Sequence, residues 1–148
     1  MDKLRYWSGT KITKMPDPYV FVFGSNPEGR HGLGAAKQAM QFGAKYGKGR
    51  GLYGNTYALS TKNLKAGFFE YKTGITYEKA GPRSISLEQI RDNIAELYQC
   101  ALNNPDRVFI VVYQKNSNNL NGYSPNEIIG QFLSMEVPKN MRFHNSFR

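Results

Sequence analysis

Residues 20–37 place the strongest constraint on how this chain folds. An apolar run at residues 20–23 leads into a loop with four glycines, and helix-forming residues follow at 35–40. The glycines are Gly24, Gly29, Gly32 and Gly34. A strand that enters such a loop and then a helix brings unobstructed backbone N–H groups to one point, where the helix dipole favours an anion. The segment therefore predicts a phosphate site, and an ordinary tight turn between a strand and a helix is the alternative. Three nearby cationic donors are Arg30, His31 and Lys37.

Length, cysteine content and hydropathy limit the class of protein. A chain of 148 residues is most simply one domain, residues 1–148, with a core that needs no disulfide or metal. One cysteine and two histidines exclude an internal disulfide and argue against a zinc site, so we expect neither a metal nor a cofactor. Residues 1–7 lack the apolar core of a signal peptide, and no apolar run approaches the ~20 residues that span a bilayer. We expect a cytoplasmic protein with no membrane partner.

The formal charge of +9 is concentrated in residues 30–83, which hold ten lysines and arginines against two glutamates. Such a field attracts polyanions. One interpretation is therefore a basic nucleic-acid-binding module, in which cations contact phosphates and aromatic rings stack on bases. Its residues would be Lys45, Tyr46, Lys48, Arg50, Tyr53, Lys62, Lys65, Phe68, Phe69, Tyr71 and Lys72. A solvated basic surface is the alternative for each of these lysines.

Short apolar segments alternate with helical stripes along the chain. Strands are predicted at residues 19–23, 55–61 and 108–113, with a last short strand near 141–143. The apolar run at 108–113 indicates a central strand. Residues 63–85 fit either a hairpin or a long surface loop. Alternating strands and helices imply an α/β sandwich with right-handed crossovers between parallel strands.

Three helices are predicted from their stripes and start signals. The first covers residues 33–42 with Leu33, Ala36 and Met40 facing inward, and the second runs from the cap Ser86 to about residue 103. The third begins at the cap Ser124, with proline at its first position. Its core face is Ile128, Ile129, Phe132 and Leu133.

Two loops leave predicted strands at the edge of the sheet where α/β proteins bind ligands. They cover residues 24–34 and 114–122, carry glycine or asparagine, and run into the starts of helices. Two converging loops of this kind support a phosphate-bearing ligand better than one.

The order of these features resembles the macro domain. It resembles more narrowly a macro-like group of small bacterial and phage proteins, in which Phe-Gly-Ser-Asn precedes a Gly-Arg-His-Gly-x-Gly-Ala-Ala loop. Here these segments are residues 23–26 and 29–36, and residues 54–62 also resemble the group's pattern. The similarity covers residues 19–62 and 86–147 and is most specific at the first loop.

The resemblance implies a macro-like three-layer α/β/α sandwich with a mixed sheet. Macro domains bind ADP-ribose and related nucleotides, and some hydrolyse ADP-ribose esters or remove terminal phosphates. In this chain, Asn26 would lie near the distal ribose. The ligand-binding residues would be Gly24, Ser25, Asn26, Arg30, Gly32, Leu33, Gly34 and Lys37 on the first loop and Asn121, Gly122 and Tyr123 on the second.

Asn26 and His31 are the candidate catalytic residues, and each has a structural alternative. His31 is an acid or base near neutral pH, or a hydrogen-bond donor to phosphate or within the loop. Asn26 orients a ribose hydroxyl or a water, or bonds its own turn. Tyr123 stacks on the ligand, or is a hydrophobic staple of the third helix. An ADP-ribosyl hydrolase, an ADP-ribose phosphatase and a protein that only holds the nucleotide all fit these residues.

Overall fold

The computed structural model describes residues 4–115 and 119–148. The strands in these residues are β1 (Tyr6–Trp7), β2 (Tyr19–Ser25), β3 (Gly51–Tyr53), β4 (Thr56–Ser60), β5 (Phe68–Glu70), β6 (Ile75–Tyr77), β7 (Val108–Val111) and β8 (Met141–His144). The α-helices are α1 (Gly34–Ala39), α2 (Leu87–Asn103) and α3 (Pro125–Leu133), and short 3₁₀ helices cover Met40–Phe42 and Asn145–Phe147. None of the helices in this part of the chain is long and apolar enough to cross a membrane.

Six strands form a mixed sheet in the order β1-β8-β7-β2-β4-β3. In this order, the neighbouring strands β1, β8, β7, β2 and β4 all run parallel. Strand β3 runs antiparallel to β4 at the edge of the sheet. The apolar strand β7 pairs with β2 in the middle of the sheet, as its composition predicted. Because parallel strands end at the same edge, the carboxyl ends of β2, β4 and β7 lie side by side.

Helices cover both faces of this sheet. Alternate residues of a strand point to opposite faces. Val20 and Val22 of β2 therefore join the core formed with α2 and α3, whereas Phe21 and Phe23 pack with α1 on the other side. The expected three-layer α/β/α sandwich with a mixed sheet is confirmed.

Both long helices begin at the predicted caps. The Ser86 hydroxyl accepts a hydrogen bond from the N–H of Gln89 at 3.1 Å. At the start of α3, Ser124 and Glu127 bond each other's backbone N–H groups at 3.1 and 3.0 Å, which completes a capping box. The predicted core face of α3 holds for three residues, but Leu133 is exposed at the last position of the helix.

The first helix is shorter than the predicted span of 33–42, and its predicted inward stripe is wrong for Leu33 and Met40, whereas Ala36 packs against the core as expected. Leu33 is the N-cap with extended backbone angles, so its side chain precedes the helical turns and is 73% exposed. Met40 is exposed as well, and the buried residue is Ala39. Ala39 packs in the cluster of Phe21 and Phe23, where a small side chain lets the helix approach the sheet.

Residues 63–85 contain an antiparallel hairpin, which is one of the two predicted alternatives. Strands β5 and β6 pair with Glu70 opposite Ile75. Phe68, Ile75 and Tyr77 pack against the core on the α2 side. The hairpin is thus attached to the body of the protein by one face.

Candidate functional site

A cavity of about 540 Å³ opens at the carboxyl ends of β2, β4 and β7. Its volume lies in the range of pockets that hold small organic ligands. Residues from all three strand ends line it, and the loops after β2 and β7 are the two that the sequence predicted to converge here. These are Gly24, Ser25 and Asn26 from β2, Thr61 and Lys62 after β4, and Val112, Tyr113 and Gln114 after β7. The wall is completed by Arg30, Gly32, Leu33, Gly34, Ala35, Ala36, Tyr46, Leu64, Asn119, Leu120 and Asn121.

One wall of the cavity carries a contact between two hydroxyls. The hydroxyl of Tyr113 lies 3.4 Å from Oγ1 of Thr61, and burial raises the pKa of Tyr113. The phenol therefore stays protonated and acts as a donor. A Cβ at Gly24 would lie 2.6 Å from the Tyr113 hydroxyl, so a larger residue at this position would displace the tyrosine.

Asn26 closes the first loop on itself. Its Nδ2 donates to the backbone oxygen of Arg30 at 3.0 Å, and its Oδ1 accepts from the N–H of Arg30 at 3.0 Å. Both the nitrogen and the oxygen of the carboxamide thus bond to the loop backbone. This matches the alternative in which Asn26 bonds its own turn. One Nδ2 hydrogen remains for a ligand, because the amide nitrogen has two.

The same loop is pressed against residues 45–49. Gly47 donates to the backbone oxygen of Gly29 at 2.8 Å, and a Cβ on Gly29 would collide with the backbone of Gly47 and Lys48. Gly29 also has a backbone φ of +71°, a conformation that residues with a side chain rarely adopt. The glycine content of this loop therefore serves loop packing as well as access to the cavity.

His31 lies inside this loop contact and outside the cavity lining. Its side chain is 3% exposed, and Nε2 donates to the backbone oxygen of Lys48 at 2.9 Å. Its ring packs edge-on against Phe23, with 5.1 Å between centroids. Nδ1 is buried with no partner among the described residues. The imidazole thus fastens two loops together.

The backbone from Gly32 to Ala36 supplies the polar wall that the sequence predicted. Within residues 4–115 and 119–148, the N–H groups of these five residues donate to no acceptor. Leu33 gives no side-chain cap, and the first turn of α1 has no acidic residue. Around an added Cβ at Gly32, no described atom lies within 4 Å, so this position faces open space. All five residues line the cavity, and backbone donors without a protein partner suit an anion.

Charged side chains near this wall are cationic. Arg30 and Lys62 line the cavity, and Arg30 also pairs with Glu28 at 3.4 Å. The described lining contains no aspartate, glutamate, histidine or cysteine. In the same part of the chain, no group of three or more such residues is placed to hold a metal ion. The cavity is therefore suited to an anionic ligand.

The structure brings together eight of the eleven predicted ligand-binding residues. These are Gly24, Ser25, Asn26, Arg30, Gly32, Leu33, Gly34 and Asn121. Lys37 lies outside the lining on the exposed side of α1. Residues 116–118 of the predicted second loop lie outside the described residues.

Gly122 and Tyr123 also lie outside the lining, because they pack against the segment before α2. A Cβ on Gly122 would lie 2.7 Å from Cβ of Pro82. The Tyr123 hydroxyl donates to the backbone oxygen of Ile85 at 2.7 Å, and its ring is buried in the core. The structure thus gives Tyr123 a packing role.

Several lining residues were not among the predicted site residues. Thr61, Lys62, Tyr113 and Gln114 directly follow β4 and β7, so the rule that pointed to Gly24 would have found them. Tyr46 and Leu64 come from loops whose paths no local pattern reveals. Together with Leu33 and Leu120, they form an apolar rim of exposed side chains around the cavity.

Comparisons with protein-family models, with curated proteins and with solved structures found no match to this chain. Its class is therefore defined by the fold and the site alone. It is an α/β/α sandwich with a cationic cavity at the carboxyl edge of its sheet.

Proposed function

We propose that this protein is a macro-like cytoplasmic domain that binds an ADP-ribose-type nucleotide in the cavity. The observation that carries the proposal is that five consecutive residues with backbone N–H groups unpaired within the described chain, Gly32 to Ala36, line the cavity together with Arg30 and Lys62. Amide donors and guanidinium groups bond phosphate oxygens strongly. Because α1 has only six residues, its dipole is weak, and a phosphate would be held by these N–H groups themselves.

The rest of the cavity suits the other parts of such a ligand. Thr61, Tyr113 and Asn121 offer hydroxyl and amide groups for ribose hydroxyls. The apolar rim, which includes Leu33 and Tyr46, offers a surface for a flat base. A nucleotide combines the anion, the sugar and the ring that these three surfaces favour.

We propose binding without acid–base turnover. Asn26 is engaged by the backbone of Arg30, and His31 by the backbone oxygen of Lys48. The lining residues within 4–115 and 119–148 include no carboxylate or imidazole to move a proton. These contacts favour a protein that holds the nucleotide over an ADP-ribosyl hydrolase or an ADP-ribose phosphatase.

Calorimetry with ADP-ribose tests the proposal. We expect the wild-type protein to bind, and Gly32→Glu to bind at least a hundredfold more weakly, because a carboxylate would enter the phosphate path. Gly32→Ala is the matched control, since its methyl group would meet open space. Circular dichroism checks that both variants fold. Equal affinity of folded Gly32→Glu and wild type, or no binding by wild type, would overturn the assignment.

A second assay addresses turnover. The protein is incubated with ADP-ribosylated protein, ADP-ribosylated nucleic acid and ADP-ribose 1″-phosphate. We expect release of neither ADP-ribose nor phosphate. Release of either product by the wild-type protein that Gly32→Glu abolishes would contradict binding without turnover.

A further inference from the structure

We propose that the outer face of the β5–β6 hairpin is a contact surface for single-stranded nucleic acid. This surface is separate from the nucleotide cavity, and the inference does not depend on what the cavity binds. The two aromatic residues that form it are Phe69 and Tyr71.

The two rings are exposed and adjacent. Phe69 is 52% exposed and Tyr71 is 92% exposed, and their centroids lie 6.5 Å apart at an interplanar angle of 82°. Phe68 and Glu70 lie on the other face of the strand, where they contact the core and Arg50. The folding contacts of the hairpin thus come from one face, and its aromatic rings are presented to solvent on the other. Exposed aromatic rings of this kind stack on unpaired bases.

The hairpin is held firmly beneath these rings. Glu70 accepts two hydrogen bonds from Arg50, at 3.0 and 3.1 Å, and one from the Tyr77 hydroxyl at 2.7 Å. Arg50 also donates to Asn93 of α2 at 2.9 Å. A two-stranded hairpin alone is marginally stable, so this buried network fixes its position. A surface that is already ordered loses less entropy when it binds.

Charge around the rings favours a polyanion. Three exposed lysines lie in or beside the hairpin at positions 65, 72 and 79, whereas the charge of Glu70 is balanced by Arg50. The remaining acidic residue in this stretch is Glu78. Exposed lysines near the rings in sequence supply cations for the phosphates of a single strand, and the rings supply faces for its bases.

The earlier set of nucleic-acid candidates is divided by the structure. Arg50 is buried in its ion pair, and Phe68 and Tyr53 are partly buried, so these three are removed from the interface. Phe69, Tyr71, Lys65 and Lys72 remain on the hairpin surface. Because Lys62 and Leu64 line the cavity, the chain that enters the hairpin joins the two surfaces.

A strand of nucleic acid fits this surface better than a membrane. Phe69 stands opposite Thr76, and Tyr71 is followed by Lys72 and Thr73, so the apolar area is interrupted by polar groups. Insertion into lipid favours a continuous apolar face. Stacking needs only the separate faces of rings.

Fluorescence anisotropy of a labelled 12-nucleotide oligo-dT with the full chain tests the inference. We expect Phe69→Ser/Tyr71→Ser to bind at least tenfold more weakly than wild type, because the two rings on which bases stack are removed. The matched control is Tyr19→Ser, which removes an exposed tyrosine at the amino end of β2. It should bind as wild type does. In Lys65→Gln/Lys72→Gln, the slope of log affinity against log salt should fall by about 0.7 for each lysine.

Three outcomes would overturn the inference. In the first, wild type does not bind oligo-dT, and in the second, the double serine variant and Tyr19→Ser change the affinity for oligo-dT equally. In the third, the protein binds only to vesicles of anionic phosphatidylglycerol. Thermal melting checks the fold, and Tyr71→Ser alone serves if the double variant unfolds. ADP-ribose calorimetry on the same variants separates the two proposals. Oligo-dT binding without ADP-ribose binding contradicts only the nucleotide cavity, and the reverse result contradicts only the hairpin surface.

Discussion

Arg50 and Glu70 form a buried ion pair through two hydrogen bonds, Nε to Oε2 at 3.0 Å and Nη2 to Oε1 at 3.1 Å. The carboxylate also accepts hydrogen bonds from Tyr77 and Thr73, and the guanidinium also donates to Asn93 and to Glu96. Removing two charges from water is costly, so such a pair persists only when these further bonds are made. The pair joins the start of β3 to the hairpin and, through Asn93, to α2.

Removing one partner of this pair should destabilise the fold strongly. Arg50→Met leaves the Glu70 carboxylate buried without its cation, and we expect the free energy of unfolding to fall by about 3–5 kcal/mol. Arg50→Met/Glu70→Leu should lose clearly less, because neither charge stays buried alone. Urea denaturation followed by circular dichroism measures both. A single variant within about 1 kcal/mol of wild type would contradict the role of the pair.

Acid should weaken the protein through the same carboxylate. Burial alone would raise the pKa of Glu70, but hydrogen bonds from Arg50, Tyr77 and Thr73 outweigh it and hold the pKa below its ordinary value of 4.5. Since the pKa is lower in the folded state, the stabilisation is complete above that ordinary value. It is lost as pH falls through the lowered folded pKa.

Urea denaturation between pH 7 and pH 3 checks this sign. In Glu70→Gln, the free energy of unfolding should decrease less between pH 7 and pH 3 than in wild type. In the control Glu136→Gln, which changes an exposed residue, the decrease should equal that of wild type. An identical acid slope in wild type and Glu70→Gln would refute the linkage.

Gly24 and Tyr113 should show strong coupling. Gly24→Ala puts a methyl group 2.6 Å from the Tyr113 hydroxyl, and crowding of this kind costs about 1–3 kcal/mol. Adding Tyr113→Phe removes the hydroxyl and should restore most of that loss. A double-mutant cycle from urea denaturation measures the coupling energy. Additive effects of the two changes would show that the close approach is relieved elsewhere.

Asn26→Ala should loosen the first loop. It removes two hydrogen bonds to the backbone of Arg30, which should lower the free energy of unfolding by about 1–3 kcal/mol. Amide hydrogen exchange at Arg30 should become faster, and ADP-ribose affinity should fall, because the loop forms the cavity wall. The exposed Asn126→Ala is the control and should change none of these. Unchanged exchange at Arg30 would argue against a clamp at Asn26.

Local patterns were sufficient for the architecture. The alternation of apolar residues in β2 and the apolar run of β7 follow from the two faces of a strand, and the starts of α2 and α3 follow from caps within four residues. These signals depend only on neighbours along the chain. They therefore predicted an α/β sandwich and the edge of the sheet where the loops converge, whereas the three layers and the mixed sheet were implied by the family resemblance.

The sequence by itself determined that glycine-rich backbone would face a site at the carboxyl edge of parallel strands. Only the tertiary structure decided which side chains serve that site. Packing of residues 26–31 on residues 45–49 turns His31 into the loop contact and brings Tyr46 to the cavity. The neighbours of Arg50 and Tyr113 come from segments far along the chain, and no local period encodes a contact of that kind.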